Sequence, residues 1–142
     1  MSNFQASLRA LFTYDIKLEA LINKLNSIVV VNAAGEKFIT FFVARYDHKS
    51  GKLEYINAAH NPPVLYNTVT GDVLHLKASC VGIGMLDEIP LVESTEILIR
   101  EYSKIVCYTD GLSELKDSDG KDIGTRVILR HISNSNPVEN NT

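Results

Sequence analysis

The spacing of apolar residues changes near residue 35, and this change constrains the fold more than any other feature of the chain. Before it, apolar side chains recur every three or four residues, at Phe4, Leu8, Leu11, Phe12, Leu18, Leu21, Ile22, Leu25 and Ile28. This is the period of an amphipathic helix. Residues 13–15 interrupt it, so the spacing predicts two helices, over residues 2–13 and 16–30, with Asp15 capping the second.

Past residue 37 the chain is a series of short apolar segments separated by turns. Residues 38–46 and 53–56 are rich in aromatic and β-branched side chains and flank a turn that contains Gly51. This pattern predicts a hairpin. Residues 64–66 and 73–76 predict a second hairpin, in whose turn Gly71 can take a positive φ.

The remaining segments are less regular. Residues 91–99 and 104–109 predict a third pair of strands, and the glycine-containing residues 78–90 predict a loop. The β-branched run of residues 28–31 disfavours helix and fits either the buried end of the second helix or a short strand. The polar tail, residues 134–142, is predicted to be disordered.

Composition and charge exclude several classes of protein. The 142 residues, 45% hydrophobic and 22% charged, match one globular domain. A formal net charge of -3 gives no basic surface for nucleic acid. Apolar runs are too short for a membrane span, and the first residues do not resemble a signal peptide, so we expect no membrane partner and a cytoplasmic location.

The two cysteines, Cys80 and Cys107, lie in apolar runs without a second cysteine or a histidine at ligand spacing. Free cysteine is among the residue types most often buried. The sequence therefore predicts two buried thiols rather than a disulfide or a metal site.

The segment YTDG places one carboxylate, Asp110, at the end of a predicted strand and before a glycine. A carboxylate in this position is suited to a hard cation such as Mg²⁺ or Mn²⁺, which prefers oxygen ligands. Spacing alone equally allows Asp110 to cap a short helix that begins near Leu112. Both interpretations stay open at the level of the residues.

Two other polar segments contain candidate catalytic or metal-binding residues. In NAAHNPP, residues 57–63, His60 could act as a base or a ligand, but the prolines and Asn57 fit a tight crossover in which His60 is structural. Residues 117–122 superficially match a calcium loop. They lack glycine at the sixth position and glutamate at the twelfth, so a solvated turn before a helix over residues 124–133 is predicted.

Three segments, taken in order, resemble the second half of a SpoIIE-type phosphatase domain, the bacterial branch of the metal-dependent PPM serine/threonine phosphatases. They are FITFFVARYDHKSGKLEYINAAHNPPVLY, the CVGIG loop and IVCYTDGLSELKDSDGKDIG. The match covers residues 1–133. It implies an α+β fold in which an antiparallel β-sandwich is flanked by helices.

The resemblance also implies a site. In that family the aspartate of the tyrosine-threonine-aspartate-glycine motif ligates the catalytic metal pair, so Asp110 is expected to bind Mn²⁺ or Mg²⁺. The motif around His60 is similar to an asparagine-alanine-glycine-histidine signature, with Ala59 where glycine is usual, and implies no catalytic role for His60. The complete domain would hydrolyse phosphoserine or phosphothreonine on a regulatory protein such as an anti-sigma-factor antagonist, by metal activation of water.

The chain also departs from the family pattern. Members carry an earlier acidic motif, a glycine-aspartate-valine-serine-glycine segment and a final aspartate pair, and none of these is present in the sequence. If the pattern holds, the chain keeps one of about four acidic positions, and the fold is incomplete at its N-terminus. Two divalent cations need several carboxylates around them, so the isolated chain is expected to be inactive or nearly so.

Two interpretations follow from these departures. In one, the chain is a fragment or truncated gene product of a phosphatase, in which a sensor or receiver domain could lie upstream. In the other, it is a non-catalytic module that retains the scaffold and binds the phosphorylated partner. Either way, strands missing from the sheets would leave open edges and apolar surface, from which we expect a homodimer.

Overall fold

The structure, a computed structural model, describes residues 2–13, 15–33 and 38–108. Its elements are α1 (Ser2–Leu11), α2 (Leu18–Ala33), β1 (Phe41–Asp47), β2 (Lys52–Ala58), β3 (Val64–Asn67), β4 (Val73–His75), β5 (Thr95–Leu98) and β6 (Ser103–Val106). The predicted turn over 117–122, the helix over 124–133, the tail and Asp110 all lie outside the described residues. The chain forms two compact units, which are described in turn.

The first unit contains α1, α2, β1, β2 and β5. Its sheet has the order β1-β2-β5 with antiparallel pairing throughout. The hairpin predicted from the turn at Gly51 is confirmed: Asp47 pairs with Lys52, and Gly51 has a φ of 73°. Because β2 is the central strand, Leu53 and Tyr55 on one of its faces and Ile56 on the other are all buried.

Helix α2 supplies most of the core of this unit. Leu18, Leu21, Ile22 and Leu25 are fully buried, and they cluster with Val43 and Ile56 of the sheet. These helical residues recur at three and four, so one stripe of α2 faces the sheet while its other side stays in solvent.

The run of residues 28–31 remains helical to Ala33, which decides between the two alternatives for this segment. Val29 is 7% exposed and joins the core cluster, whereas Val31 is 78% exposed. Burying Val29 contributes about 1.5–3 kcal/mol, whereas its β-branched side chain costs the helix no more than about 0.7 kcal/mol. At Val29, packing therefore outweighs helix propensity.

The start of α2 differs from the prediction. The helix begins at Leu18, and the N–H of Leu21 donates to the carbonyl of Lys17 at 3.0 Å. A residue whose carbonyl accepts the first helical bond occupies the cap position. Lys17 is thus the cap, and the prediction that Asp15 caps the helix is wrong by two residues.

The second unit contains β3, β4 and β6 in the order β4-β3-β6, again antiparallel. The predicted hairpin of β3 and β4 is confirmed, and Gly71 in its turn has a φ of 78°. The side chain of Asn67 bonds both the turn after β3 and the connection that precedes β6. Its Oδ1 accepts the N–H groups of Val69 and Thr70 at 2.9 Å each, and its Nδ2 donates to the Glu101 carbonyl at 3.1 Å.

The third predicted strand pair is wrong in its pairing. Both strands exist, but β5 pairs with β2 in the first sheet and β6 pairs with β3 in the second. The short connection of residues 99–102 leads from one sheet to the other instead of closing a hairpin. Tyr102 in this connection has a φ of 64°, a conformation uncommon for a residue other than glycine.

The two thiols differ in exposure. Cys107 is exposed and Cys80 is half-buried, and both are free, so the prediction of buried thiols is wrong for Cys107 and holds only in part for Cys80. Partial burial raises the pKa of the Cys80 thiol because it disfavours the thiolate.

In the part of the chain that the structure describes, neither helix is long and apolar enough to cross a bilayer.

Candidate functional site

The predicted metal ligand, Asp110, lies two residues beyond Tyr108, the last described residue. The structure describes the strand that leads to it. Tyr108 is half-buried and packs against Val64, together with Tyr66 and Val106. Strand β6 therefore reaches the YTDG segment with its final residues held against β3 by apolar contacts.

The pairing of β3 with β6 brings the first residue of β3 and the last residue of β6 to one end of the second sheet. Val64, the first residue of β3, pairs with Val106, the last residue of β6. Because the strands are antiparallel, the residues that precede β3 and those that follow β6 leave the sheet at the same end. Pro63 is fully buried there, and its carbonyl accepts the N–H of Leu76 at 2.9 Å.

Asn57 organises the beginning of the NAAHNPP segment. Its side chain is fully buried, and its Oδ1 accepts the backbone N–H of His60 at 2.8 Å. Its own carbonyl accepts the N–H groups of Ser79 and Cys80 at 3.1 and 3.3 Å. These contacts confirm that Asn57 satisfies backbone groups at a tight change of direction. His60 is half-buried at the end of this turn.

Ala59 adopts a left-handed conformation, with a φ of 58°. The bond from the His60 N–H to the Asn57 side chain closes the turn over this residue. A left-handed conformation brings Cβ close to the following carbonyl and costs an L-residue roughly 1–2 kcal/mol, whereas glycine avoids this cost. The sequence showed that alanine stands where the similar signature has glycine, and the backbone now gives the physical reason for glycine at that position.

The CVGIG loop is held close to β1 and the residues that precede it. The N–H groups of Ile39 and Ile83 each donate to the other residue's carbonyl at 2.8 Å. Gly82 is buried between them and their neighbours. A Cβ built on it would lie 3.2 Å from Cδ2 of Phe38 and 3.3 Å from the Ile39 carbonyl oxygen, so a larger residue would displace this contact.

Asn26 of α2 fixes the other side of the same loop, a role that the sequence analysis missed. It is 2% exposed, and its Oδ1 accepts the Gly84 N–H at 2.7 Å. Its Nδ2 donates to the carbonyls of Leu86 and Asp87 at 3.0 and 3.3 Å. The signal was available, because Asn26 lies on the apolar stripe between Ile22 and Val29, where an amide requires partners.

Within residues 2–13, 15–33 and 38–108, no group of three or more His, Cys, Asp or Glu side chains could hold a metal ion. The carboxylate of Asp110, outside these ranges, is the type of donor that Mg²⁺ and Mn²⁺ prefer.

Comparison with known proteins identifies relatives. The family model of stage II sporulation protein E (SpoIIE) matches residues 1–141. No curated protein sequence matches the chain.

Three solved structures share the fold. RsbX in complex with magnesium is 13% identical, with a TM-score of 0.69 over 97% of this chain and 59% of that one. The RsbU and RsbW domains of Rv1364c from Mycobacterium tuberculosis are 20% identical, with a TM-score of 0.74 over 98% and 39%. The phosphatase domain of SpoIIE from Bacillus subtilis is 16% identical, with a TM-score of 0.51 over 94% and 54%.

These similarities confirm the predicted fold class. The two helices and two three-stranded antiparallel sheets of the described residues match the fold of PPM-type phosphatase structures. The chain spans between 39% and 59% of the lengths of the three structures.

Proposed function

The chain belongs to the SpoIIE family of PPM-type phosphatases, and on this basis we propose that it is part of a protein serine/threonine phosphatase. The observation that carries the proposal is the family match over residues 1–141, which includes the YTDG segment. The proposed substrate is phosphoserine or phosphothreonine on a regulatory protein, such as an anti-sigma-factor antagonist.

Asp110 is the proposed metal ligand. Support comes from its motif and from the approach of β6, whose end is packed against Val64 through Tyr108. Bound Mn²⁺ or Mg²⁺ would supply an activated water and charge stabilisation for the transferred phosphoryl group. RsbX has been solved with magnesium, which supports a divalent cation but leaves the choice of metal to experiment.

The 142-residue chain alone is proposed to be inactive or nearly so. Two divalent cations carry four positive charges, and the surrounding carboxylates must offset much of that charge. If the family pattern holds, Asp110 is the one of about four acidic positions that the chain keeps. A manganese-dependent release of phosphate from a phosphopeptide at ordinary enzyme rates, on the order of 1 per second or faster, would contradict this part of the proposal.

Manganese titration by calorimetry tests Asp110 directly. Three proteins are compared: the native chain, Asp110→Ala and Asp72→Ala. Asp72 is exposed in the turn between β3 and β4, so its removal changes net charge by the same amount without touching the motif. Binding tighter than about millimolar, roughly −4 kcal/mol, that only Asp110→Ala abolishes would assign the ligand.

The other outcomes are equally informative. Equal loss in both variants would mean a diffuse effect of charge, and Asp110 would not be a ligand. No binding by any of the three proteins would mean that Asp110 cannot hold the cation without groups from outside this chain. In that case the same substitutions would be compared in a longer protein that carries the earlier acidic motifs.

A non-catalytic role as a binding module is the competing function. It predicts that the native chain and Asp110→Ala bind a phosphorylated regulatory protein with equal affinity and release no phosphate. A phosphatase predicts phosphate release that requires Asp110 once the remaining acidic motifs are supplied. The two proposals thus differ in whether Asp110 matters for turnover.

We further propose that the chain forms a homodimer through a sheet edge. Among the described residues, β1 and β5 each pair with β2 alone, and an open edge presents backbone groups that another strand can bind. Multi-angle light scattering should give twice the 15.8 kDa of one chain. A lysine on an edge strand disfavours pairing with another chain. Tyr46→Lys on β1 and Leu98→Lys on β5 therefore test the two edges, and the substitution that restores the monomer identifies the edge that forms the dimer. A native chain that is monomeric would refute the proposal.

A further inference from the structure

We draw no further inference here: the strongest candidate, the partly exposed apolar row that Leu65, Leu74 and Ile105 form across the β4-β3-β6 sheet, is an unpartnered sheet face, and nothing in the structure shows what covers it.

Discussion

Replacing Ala59 by glycine should stabilise the protein, although glycine normally weakens a folded chain. The φ of 58° at Ala59 costs an alanine roughly 1–2 kcal/mol that glycine would not bear. Against this gain stand about 0.4–1 kcal/mol from the greater freedom of glycine in the unfolded chain and about 0.4 kcal/mol for half of one methyl burial. The expected net effect is a stabilisation of about 0.5 kcal/mol.

A matched control makes this small effect measurable. Ala20 lies within α2 and is half-buried, as Ala59 is, so Ala20→Gly removes a comparable methyl from an ordinary helical conformation. That substitution should cost about 1 kcal/mol in helix propensity and about 0.4 kcal/mol for the methyl. The two variants should then differ by about 1.9 kcal/mol, which corresponds to about 1 M in urea midpoint for a slope near 2 kcal/mol/M.

Urea unfolding followed by circular dichroism measures both variants against the native chain. Equal slopes are required, because a changed slope would mean that the variants differ in the surface exposed on unfolding. If Ala59→Gly loses as much stability as Ala20→Gly, then Ala59 is not held in a left-handed conformation in solution. The explanation given for glycine at this position of the motif would then be wrong.

The other predictions concern single contacts. Asn26→Ala removes three hydrogen bonds and should cost about 2–3 kcal/mol, since it leaves buried groups unsatisfied; hydrogen exchange of the Gly84 amide should accelerate, and an unchanged rate would contradict the contact. Gly82→Ala forces a methyl against an aromatic ring and a carbonyl at 3.2 and 3.3 Å and should cost about 1–3 kcal/mol in urea unfolding. Gly71→Ala is the control, because a Cβ at Gly71 meets no atom within 4 Å although φ is 78°. It should lose about 1 kcal/mol from its backbone alone. A larger loss for Gly71→Ala than for Gly82→Ala would refute the steric argument for Gly82. The hydrogen bond from the Lys49 backbone N–H lowers the pKa of Asp47. The stability that this carboxylate contributes is therefore present above its unfolded pKa of about 3.9 and is lost as pH falls through the lower folded value. Asp47→Asn should flatten the acid side of the curve of unfolding free energy against pH, and an unchanged curve would exclude the contribution.

Local signals predicted the elements well where one physical effect dominates. The three- and four-residue spacing of Leu18, Leu21, Ile22 and Leu25 predicted a helix because that spacing is what a core on one side requires. Gly51 and Gly71 predicted their turns because both positions need a positive φ. The family resemblance rested on motifs whose residues are local in sequence, and the match over residues 1–141 confirms it.

Errors occurred where distant partners decide. Strands β5 and β6 are neighbours in sequence, and a short connection favours a hairpin, but β5 pairs with β2 in the first sheet and β6 pairs with β3 in the second. The extension of α2 to Ala33 depended on the core that receives Val29. The apolar stripe of α2 indicates that Asn26 needs hydrogen-bond partners, but the loop that supplies them lies about sixty residues away, and the helix alone does not identify that loop.

Periodicity and turn chemistry predicted the helices and the first two hairpins, and the ordered motifs around Asp110 carried the family resemblance, because all of these are properties of short segments. The division of the strands between two sheets, the pairing of the start of β3 with the end of β6 and the left-handed conformation of Ala59 became known from the folded structure. Strand pairing and backbone strain are set by the free energy of the whole packed unit. A short segment carries only part of that free energy.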